Sequence, residues 1–147
     1  MSQSLPSPIL HLIKLSVGPE SLDDLAGWQA LRREQTGEEV NRHLTRNYPR
    51  RAQEILEGGG SIYWVIKGVI LARQHILAFE ARANPQGERR CAIVLDPPLI
   101  PTVPRSHRPF QGWRYFQPEA APPDLEASAT DELPPGLAEE LRNLGLL

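Results

Sequence analysis

Arginine and aromatic residues are interspersed over a short stretch of the sequence, from Arg105 to Tyr115. The stretch reads Arg-Ser-His-Arg-Pro-Phe-Gln-Gly-Trp-Arg-Tyr. Guanidinium groups form paired hydrogen bonds with phosphate oxygens, and aromatic planes stack on nucleobases. The combination favours a surface that binds nucleic acid. The alternative is a proline-rich segment that Phe110 and Trp113 attach to the core, with its arginines solvated or in salt bridges.

The charge of the chain is distributed in blocks. The overall net charge is -2, but residues 42–116 hold twelve Lys and Arg against five Asp and Glu, a net of +7. Residues 1–41 have a net charge of -3 and residues 117–147 a net charge of -6. A basic middle with an acidic end indicates an anionic partner. A sheet with aromatic residues in its core and arginines at its rim would give the same pattern.

A second group of arginines lies at the predicted start of a helix, at positions 46, 50 and 51. Backbone amides at a helix N-terminus already favour anions. We therefore expect a non-catalytic module that binds nucleic acid, with RNA as the preferred candidate. Its arginine and lysine side chains would contact phosphates, and Trp113 and Tyr115 would stack on bases. The candidate binding residues are Arg46, Arg50, Arg51, Lys67, Arg73, Arg105, Arg108, Trp113, Arg114 and Tyr115.

Two other classes of function fit the same residues. One is a small enzyme for a phosphorylated or nucleotide substrate that uses Arg73, Asp96, His107 or Tyr115, although the sequence assigns no catalytic residue. The other is a protein-interaction module whose acidic C-terminal residues compete for the basic part. A convergent pocket with a buried carboxylate or histidine would favour the enzyme, and a grooved basic face would favour binding.

The sequence does not indicate a phosphate-binding loop, a disulfide framework, a metal site or a membrane segment. The glycine triplet 58–60 follows a predicted helix instead of preceding one, so it is expected to end that helix and not to bind phosphate. The single cysteine, Cys91, excludes a disulfide framework and is expected to be a buried, inert thiol. No spacing of His and Cys predicts a metal site, and no cofactor is expected. Without a long apolar run or a signal-peptide pattern, we expect a cytoplasmic protein that does not cross a membrane.

Hydrophobic patterns predict how these residues are positioned. Leu22, Leu25, Trp28 and Leu31 follow one another at helical spacing. An unbroken apolar run at 62–66 predicts a central strand with Trp64 buried. An Asn-Pro-Gln-Gly turn at 84–87 predicts a hairpin. The pattern as a whole predicts helices over 21–35 and 49–57 and strands over 9–17, 62–66, 69–83 and 91–95, followed by an extended proline-rich segment.

These elements predict an α+β fold: a mainly antiparallel curved sheet or partial β-barrel packed by two helices. We expect a single domain over residues 1–125. Residues 126–147 are expected to form a weakly ordered acidic tail, in which leucines 137, 141 and 144 share the face of a short helix. The oligomeric state is not indicated.

Four segments are familiar from other sequences: His11 to Gly18, Tyr63 to Gly68 with Arg73-Gln74 after it, Val94 to Pro97, and Phe110 to Tyr115. Over residues 10–125 the chain resembles a bacterial family of small proteins, the domain of unknown function 1489. The resemblance implies a single-domain bacterial protein and no particular activity. The order of elements is also similar to the small barrels of the PUA and ASCH type, and this analogy implies RNA or modified nucleotides as ligands.

Overall fold

The computed structural model describes residues 9–125, which form a six-stranded mixed sheet and two α-helices. The strand order across the sheet is β2-β5-β4-β3-β1-β6. Strands β1 and β3 run parallel, and the other neighbouring pairs run antiparallel, which confirms the predicted α+β class. The elements are β1 (His11–Leu15), α1 (Leu22–Thr36), β2 (Asn41–Thr45), α2 (Ala52–Gly58), β3 (Ser61–Ile66), β4 (Val69–Ala83), β5 (Arg89–Ser106), β6 (Trp113–Phe116) and a 3₁₀ turn (Pro118–Ala120).

The core lies mainly between α1, α2 and one face of the curved sheet. Every residue of β3 is buried, and Trp64 is only 2% exposed, as the unbroken apolar run predicted. A smaller cluster that includes Tyr63 and Phe116 covers the opposite face at β1, β3 and β6. Burial on both faces explains why β3 has no alternation of polar and apolar residues.

Strands β4 and β5 form the predicted hairpin and are the longest strands of residues 9–125. Their pairing shifts register at three places, which bends the sheet. The expectation that the strand ends at Leu95 was wrong, since β5 continues through four prolines to Ser106. Strand β2 pairs with β5 only as far as Leu95, so within residues 9–125 no strand lies beside the outer edge of the second half of β5. Prolines are tolerated on such an edge because no ladder hydrogen bond needs their missing N–H. Val103, which lies between Pro101 and Pro104, donates its backbone N–H to the carbonyl of Pro123.

Helix α1 begins and ends where the sequence predicts, but it does not bury the predicted face. Ser21 caps its N-terminus by accepting a hydrogen bond from the backbone N–H of Asp24 (3.1 Å). Leu22 and Leu25 are buried, whereas the side chains that follow at helical spacing are not. Trp28 is 58% exposed and Leu31 54%. The second half of α1 meets the sheet through polar groups: the Gln29 amide pairs with that of Gln74 on β4.

The second helix is shorter than predicted. It begins at Ala52 instead of Pro49, and the residues between form a turn in which Ala52 donates to the carbonyl of Pro49. The glycine triplet ends the helix as expected, with Gly59 in the left-handed region. Gly60 is required for close approach, because a Cβ there would lie 2.2 Å from the Leu10 carbonyl oxygen. The predicted acidic tail and its short helix lie outside the described residues.

The two edge strands of the sheet, β2 and β6, approach each other without pairing. The indole Nε1 of Trp113 donates to the carbonyl of Asn47, just after β2 (3.0 Å). Arg51 donates its backbone N–H to the Tyr115 hydroxyl (3.1 Å). No backbone ladder joins the two edges within residues 9–125, so the curved sheet is not closed into a barrel. We call the gap between β2 and β6 the seam.

Candidate nucleic-acid interface

A basic groove follows the seam. Its volume is about 560 Å³, and we call it the seam groove. The sheet order explains its composition, because β1 lies next to β6 and curvature places β2 opposite. Residues far apart in the sequence thereby contribute to one surface. The groove is lined by Lys14 of β1, Leu44, Thr45, Arg46 and Asn47 of β2 and the loop after it, and Gln111, Gly112, Trp113 and Arg114 before and within β6.

Lys14 is the most unusual residue of the groove. In the sheet register it lies between Trp64 of β3 and Trp113 of β6. Its side chain is partly buried, and burial lowers the pKa of its amine. Within residues 9–125, no carboxylate forms an ion pair with it. A cation that has lost part of its hydration without gaining a counter-ion favours an anionic ligand.

Arg46 and Arg114 both border the groove, but only Arg46 adds its charge there, because Arg114 is opposite Ile13 in the sheet register and its side chain lies on the face of the second cluster. Arg46 is exposed and forms no ion pair with any carboxylate in the described part of the chain. The guanidinium of Arg114 donates to the carbonyl of Gln111 (3.1 Å) and lies 5.5 Å from the centre of the Phe110 ring. The first arginine is therefore free to move onto a ligand, whereas the second is held in place.

The predicted base-stacking residues lie at the seam but have structural contacts there. The rings of Trp113 and Tyr115 meet edge to face, with centroids 5.0 Å apart. Arg51 lies over the Tyr115 ring at 5.4 Å and forms an ion pair with Glu54, whose pKa is lowered mainly by this hydrogen bond. Both aromatic rings are partly buried against the core, so each offers only part of its surface to a ligand.

The structure brings together half of the predicted binding residues. Arg46, Trp113 and Arg114 line the seam groove, and Arg51 and Tyr115 lie beside it. The remaining predicted residues do not line it. Arg50 is exposed in the turn before α2, and Arg108 lies in the loop after β5. Lys67 lies in the β3–β4 turn, 4.0 Å from Glu20. Arg73 forms a two-pronged ion pair with Asp124 (2.7 and 2.9 Å), and Arg105 donates to the carbonyl of Ala120.

The residues considered for an enzyme are not assembled into a site. No hydrogen bond, ion pair or ring contact of the described chain joins any two of Arg73, Asp96, His107 and Tyr115. Burial raises the pKa of Cys91 to about 11, consistent with the expected inert thiol. Among residues 9–125, no group of three or more His, Cys, Asp and Glu could hold a metal ion.

A second cavity, of about 240 Å³, lies between α1 and the sheet, and we call it the helix cavity. Its walls include Trp28 and Gln29 of α1, Asn41 and His43 of β2, and Trp64 of β3. Burial, followed by the charge of Lys14, lowers the pKa of His43 to about 4, so the imidazole is neutral at pH 7. Its Nε2 atom is buried and has no hydrogen-bond partner within the described residues.

Sequence reasoning missed Lys14 and the residues of the helix cavity. Lys14 interrupts an apolar strand, a pattern that usually indicates a side chain pointing to solvent. A signal was nevertheless present in Trp28, the one tryptophan outside the basic block, since tryptophan is enriched among the residues that anchor binding partners.

Comparison with known proteins gives one match. The model of a family described as "Protein of unknown function (DUF1489)" matches residues 12–147, a longer range than the resemblance seen in the sequence. No curated protein and no solved structure matches the chain. Among the helices of residues 9–125, none is long and apolar enough to span a membrane.

Proposed function

The chain belongs to the DUF1489 family, whose description assigns no activity, and from its own geometry we propose that it is a non-catalytic module that binds single-stranded RNA in the seam groove. The observation that carries this proposal is the partly buried Lys14 without a carboxylate partner in the described chain. A phosphate in the groove would provide the missing counter-ion. The analogy with PUA and ASCH barrels points to the same class of ligand.

The composition of the groove supports a strand more than a small anion. Lys14 and Arg46 approach from two different segments of the chain, so their charges are at separate points of the seam. No carboxylate is among the lining residues. Asn47, Gln111 and Gly112 also line the groove, and their side-chain and backbone amides supply hydrogen-bond donors. Separate positive charges with additional donors suit a phosphodiester backbone, which repeats its negative charge at intervals.

The salt dependence of binding tests the proposal. Each phosphate neutralised on a single strand contributes a slope of about -0.7 to a plot of log K against log salt concentration, so two cations predict a slope of about -1.4. Fluorescence anisotropy of a labelled RNA oligonucleotide measures the slope. The double variant Lys14→Met, Arg46→Gln should remove most of it. Methionine is unbranched and about one atom shorter than lysine, so the packing of position 14 in the sheet is largely preserved.

Lys67→Met is the matched control, because it removes one lysine that does not line the groove. It should leave the slope unchanged. Absence of binding at low salt, or equal losses for the groove variant and the control, would contradict a specific groove. The same titration separates the other classes of function. An enzyme with a phosphate pocket would bind mononucleotides as tightly as oligomers, and a protein-interaction module would bind neither.

A further inference from the structure

The helix cavity and the seam groove are neighbours along β2, although no residue lines both. Strand β2 borders both: its first residues, Asn41 to His43, line the helix cavity, and its last, Leu44 and Thr45, line the groove. The same holds at the end of β1, where Lys14 lines the groove and Ser16, the residue directly after the strand, lines the cavity. Lys14 is opposite Trp64 in the sheet register, and Trp64 lines the cavity and contacts the His43 ring, so the two sites are close. A ligand that lies along the seam is therefore beside the cavity.

The walls of the helix cavity combine aromatic rings with hydrogen-bonding groups. Trp28 and Trp64 contribute indoles, and the imidazole of His43 meets the Trp64 ring edge to face at 5.2 Å. The Gln29 amide is fixed by its bonds to the Gln74 amide, and the Asn41 amide is fixed because it donates to the backbone carbonyl of Gln29 and accepts from Arg33. Rigid polar groups around aromatic surfaces are characteristic of sites that recognise flat, heteroatom-containing ligands.

Two groups at the cavity have no partner among the described residues. The exposed guanidinium of Arg32 forms no ion pair or side-chain hydrogen bond with other residues of the 9–125 range. The Nε2 atom of His43 is buried and has no hydrogen-bond partner in the same range. A buried polar atom of this kind is unfavourable in the empty protein, and a ligand edge could provide its hydrogen bond after a small rotation of the imidazole.

The size of the cavity limits what it can hold. Sites for drug-sized ligands usually measure roughly 300–1,000 Å³, and the helix cavity, at about 240 Å³, is smaller. It has room for one or two fused rings, and the rest of a nucleotide would have to stay outside. The adjoining groove is where the sugar and phosphate of such a nucleotide would lie.

We propose that the helix cavity binds one unstacked nucleobase of the RNA strand whose backbone occupies the seam groove. This inference rests on the proposed function, since it adds a base site to the backbone site. Phosphate contacts in the groove would give affinity with no sequence preference, and the cavity would add a preference for the base whose edge fits its polar groups.

The three tryptophans of the chain report on the two sites separately, because Trp113 lies in the groove and Trp28 and Trp64 lie at the cavity. Their indole N–H resonances can be assigned with single Trp→Phe variants and followed by NMR during titrations. The probes are a single-stranded RNA oligonucleotide and the four free ribonucleosides. RNA should shift all three resonances, and a free nucleoside should shift those of Trp28 and Trp64 alone.

Each outcome separates the two proposals. If RNA shifts Trp113 while no probe shifts Trp28 or Trp64, the groove binds the backbone and the base site is refuted. If nucleosides shift Trp28 and Trp64 while RNA does not bind, the cavity takes a free nucleoside, and both the strand-bound base and the proposed function are wrong. If no probe shifts any of the three, both proposals fail.

Substitution of Trp28 gives an independent measurement. Because its side chain is 58% exposed, Trp28→Ala should fold normally. Loss of one aromatic contact to a base should weaken RNA binding by roughly 5- to 150-fold while leaving the salt slope unchanged. Leu31→Ala is the matched control, as it lies on the same helix with similar exposure and does not line the cavity. Equal affinities of Trp28→Ala and Leu31→Ala would overturn the base site.

Discussion

A pair of glutamine amides connects α1 to the sheet, and its strength can be measured. Gln74 is fully buried on β4, and its amide forms two reciprocal hydrogen bonds with Gln29 (2.8 and 2.9 Å). The same Gln74 amide accepts from the Trp64 indole (3.1 Å) and donates to the carbonyl of Asp96 (2.9 Å). Methionine has a similar size to glutamine and cannot make these bonds, so the relevant variants are Gln29→Met and Gln74→Met.

The contacts determine the expected free energies of unfolding. Gln29→Met removes the reciprocal bonds but leaves Gln74 paired with Trp64 and Asp96, so we expect a loss of about 1–3 kcal/mol. Gln74→Met also leaves the Trp64 indole and the Gln29 amide unpaired, so we expect about 3–5 kcal/mol. The double variant no longer contains an unpaired Gln29 amide. It should therefore be more stable than the sum of the single losses predicts, by about 1–3 kcal/mol.

Urea unfolding of the four proteins measures this coupling energy, provided that their m-values agree. Coupling within about 0.5 kcal/mol of zero would show that the two amides act independently. In that case α1 would be held by Leu22, Leu25 and the hydrogen bonds to Asn41 of β2, and the amide pair would contribute nothing to the position of the helix cavity. A second cycle between Gln29 and the exposed Leu31 is the matched control and should be additive.

Two further results are expected. Trp64→Ala should lower the free energy of unfolding by about 3–5 kcal/mol, because Trp64 is 2% exposed. In the same urea titration, Trp28→Ala should lower it by less than about 1 kcal/mol. Similar losses for the two variants would mean that Trp64 is not a core residue. The folded protein should lose stability as the pH falls from about 6.5 towards 4, since burial lowers the pKa of His11 and His43 to about 4 while the unfolded chain takes up protons near 6.5. His43→Leu should flatten the stability profile in that pH range, and an unchanged profile would refute the neutral, buried state of this ring.

The elements that the sequence predicted well are those whose signal is local. The apolar run of β3 and the turn between β4 and β5 each depend on neighbouring residues, and both are present in the structure. The proline-containing half of β5 could not be predicted in the same way. Whether a proline is tolerated there depends on where β2 ends, and β2 precedes it by more than fifty residues.

The site was harder to predict than the fold, because its residues meet only through long-range contacts. Trp113 and Arg114 were predicted from composition, but the groove they form also needs Lys14, which lies about a hundred residues earlier. The exposure of Trp28 has the same origin. Its helix turns a glutamine towards the sheet because Gln74, far along the chain, offers a complementary amide. From helical spacing alone, the apolar face of α1 would be expected to face the sheet.

The position of β1 inside the sheet has a consequence for the order of folding. Its residues pair with β3 about fifty residues later and with β6 about a hundred residues later, as in the pair His11 and Phe116. The β3–β4–β5 meander needs only short loops and can form first, because closing a short loop costs less entropy. During synthesis, β1 leaves the ribosome before either of its partners exists. One edge of this apolar strand therefore stays unpaired until β6 has emerged. During that interval chaperones would have their best opportunity to bind the chain.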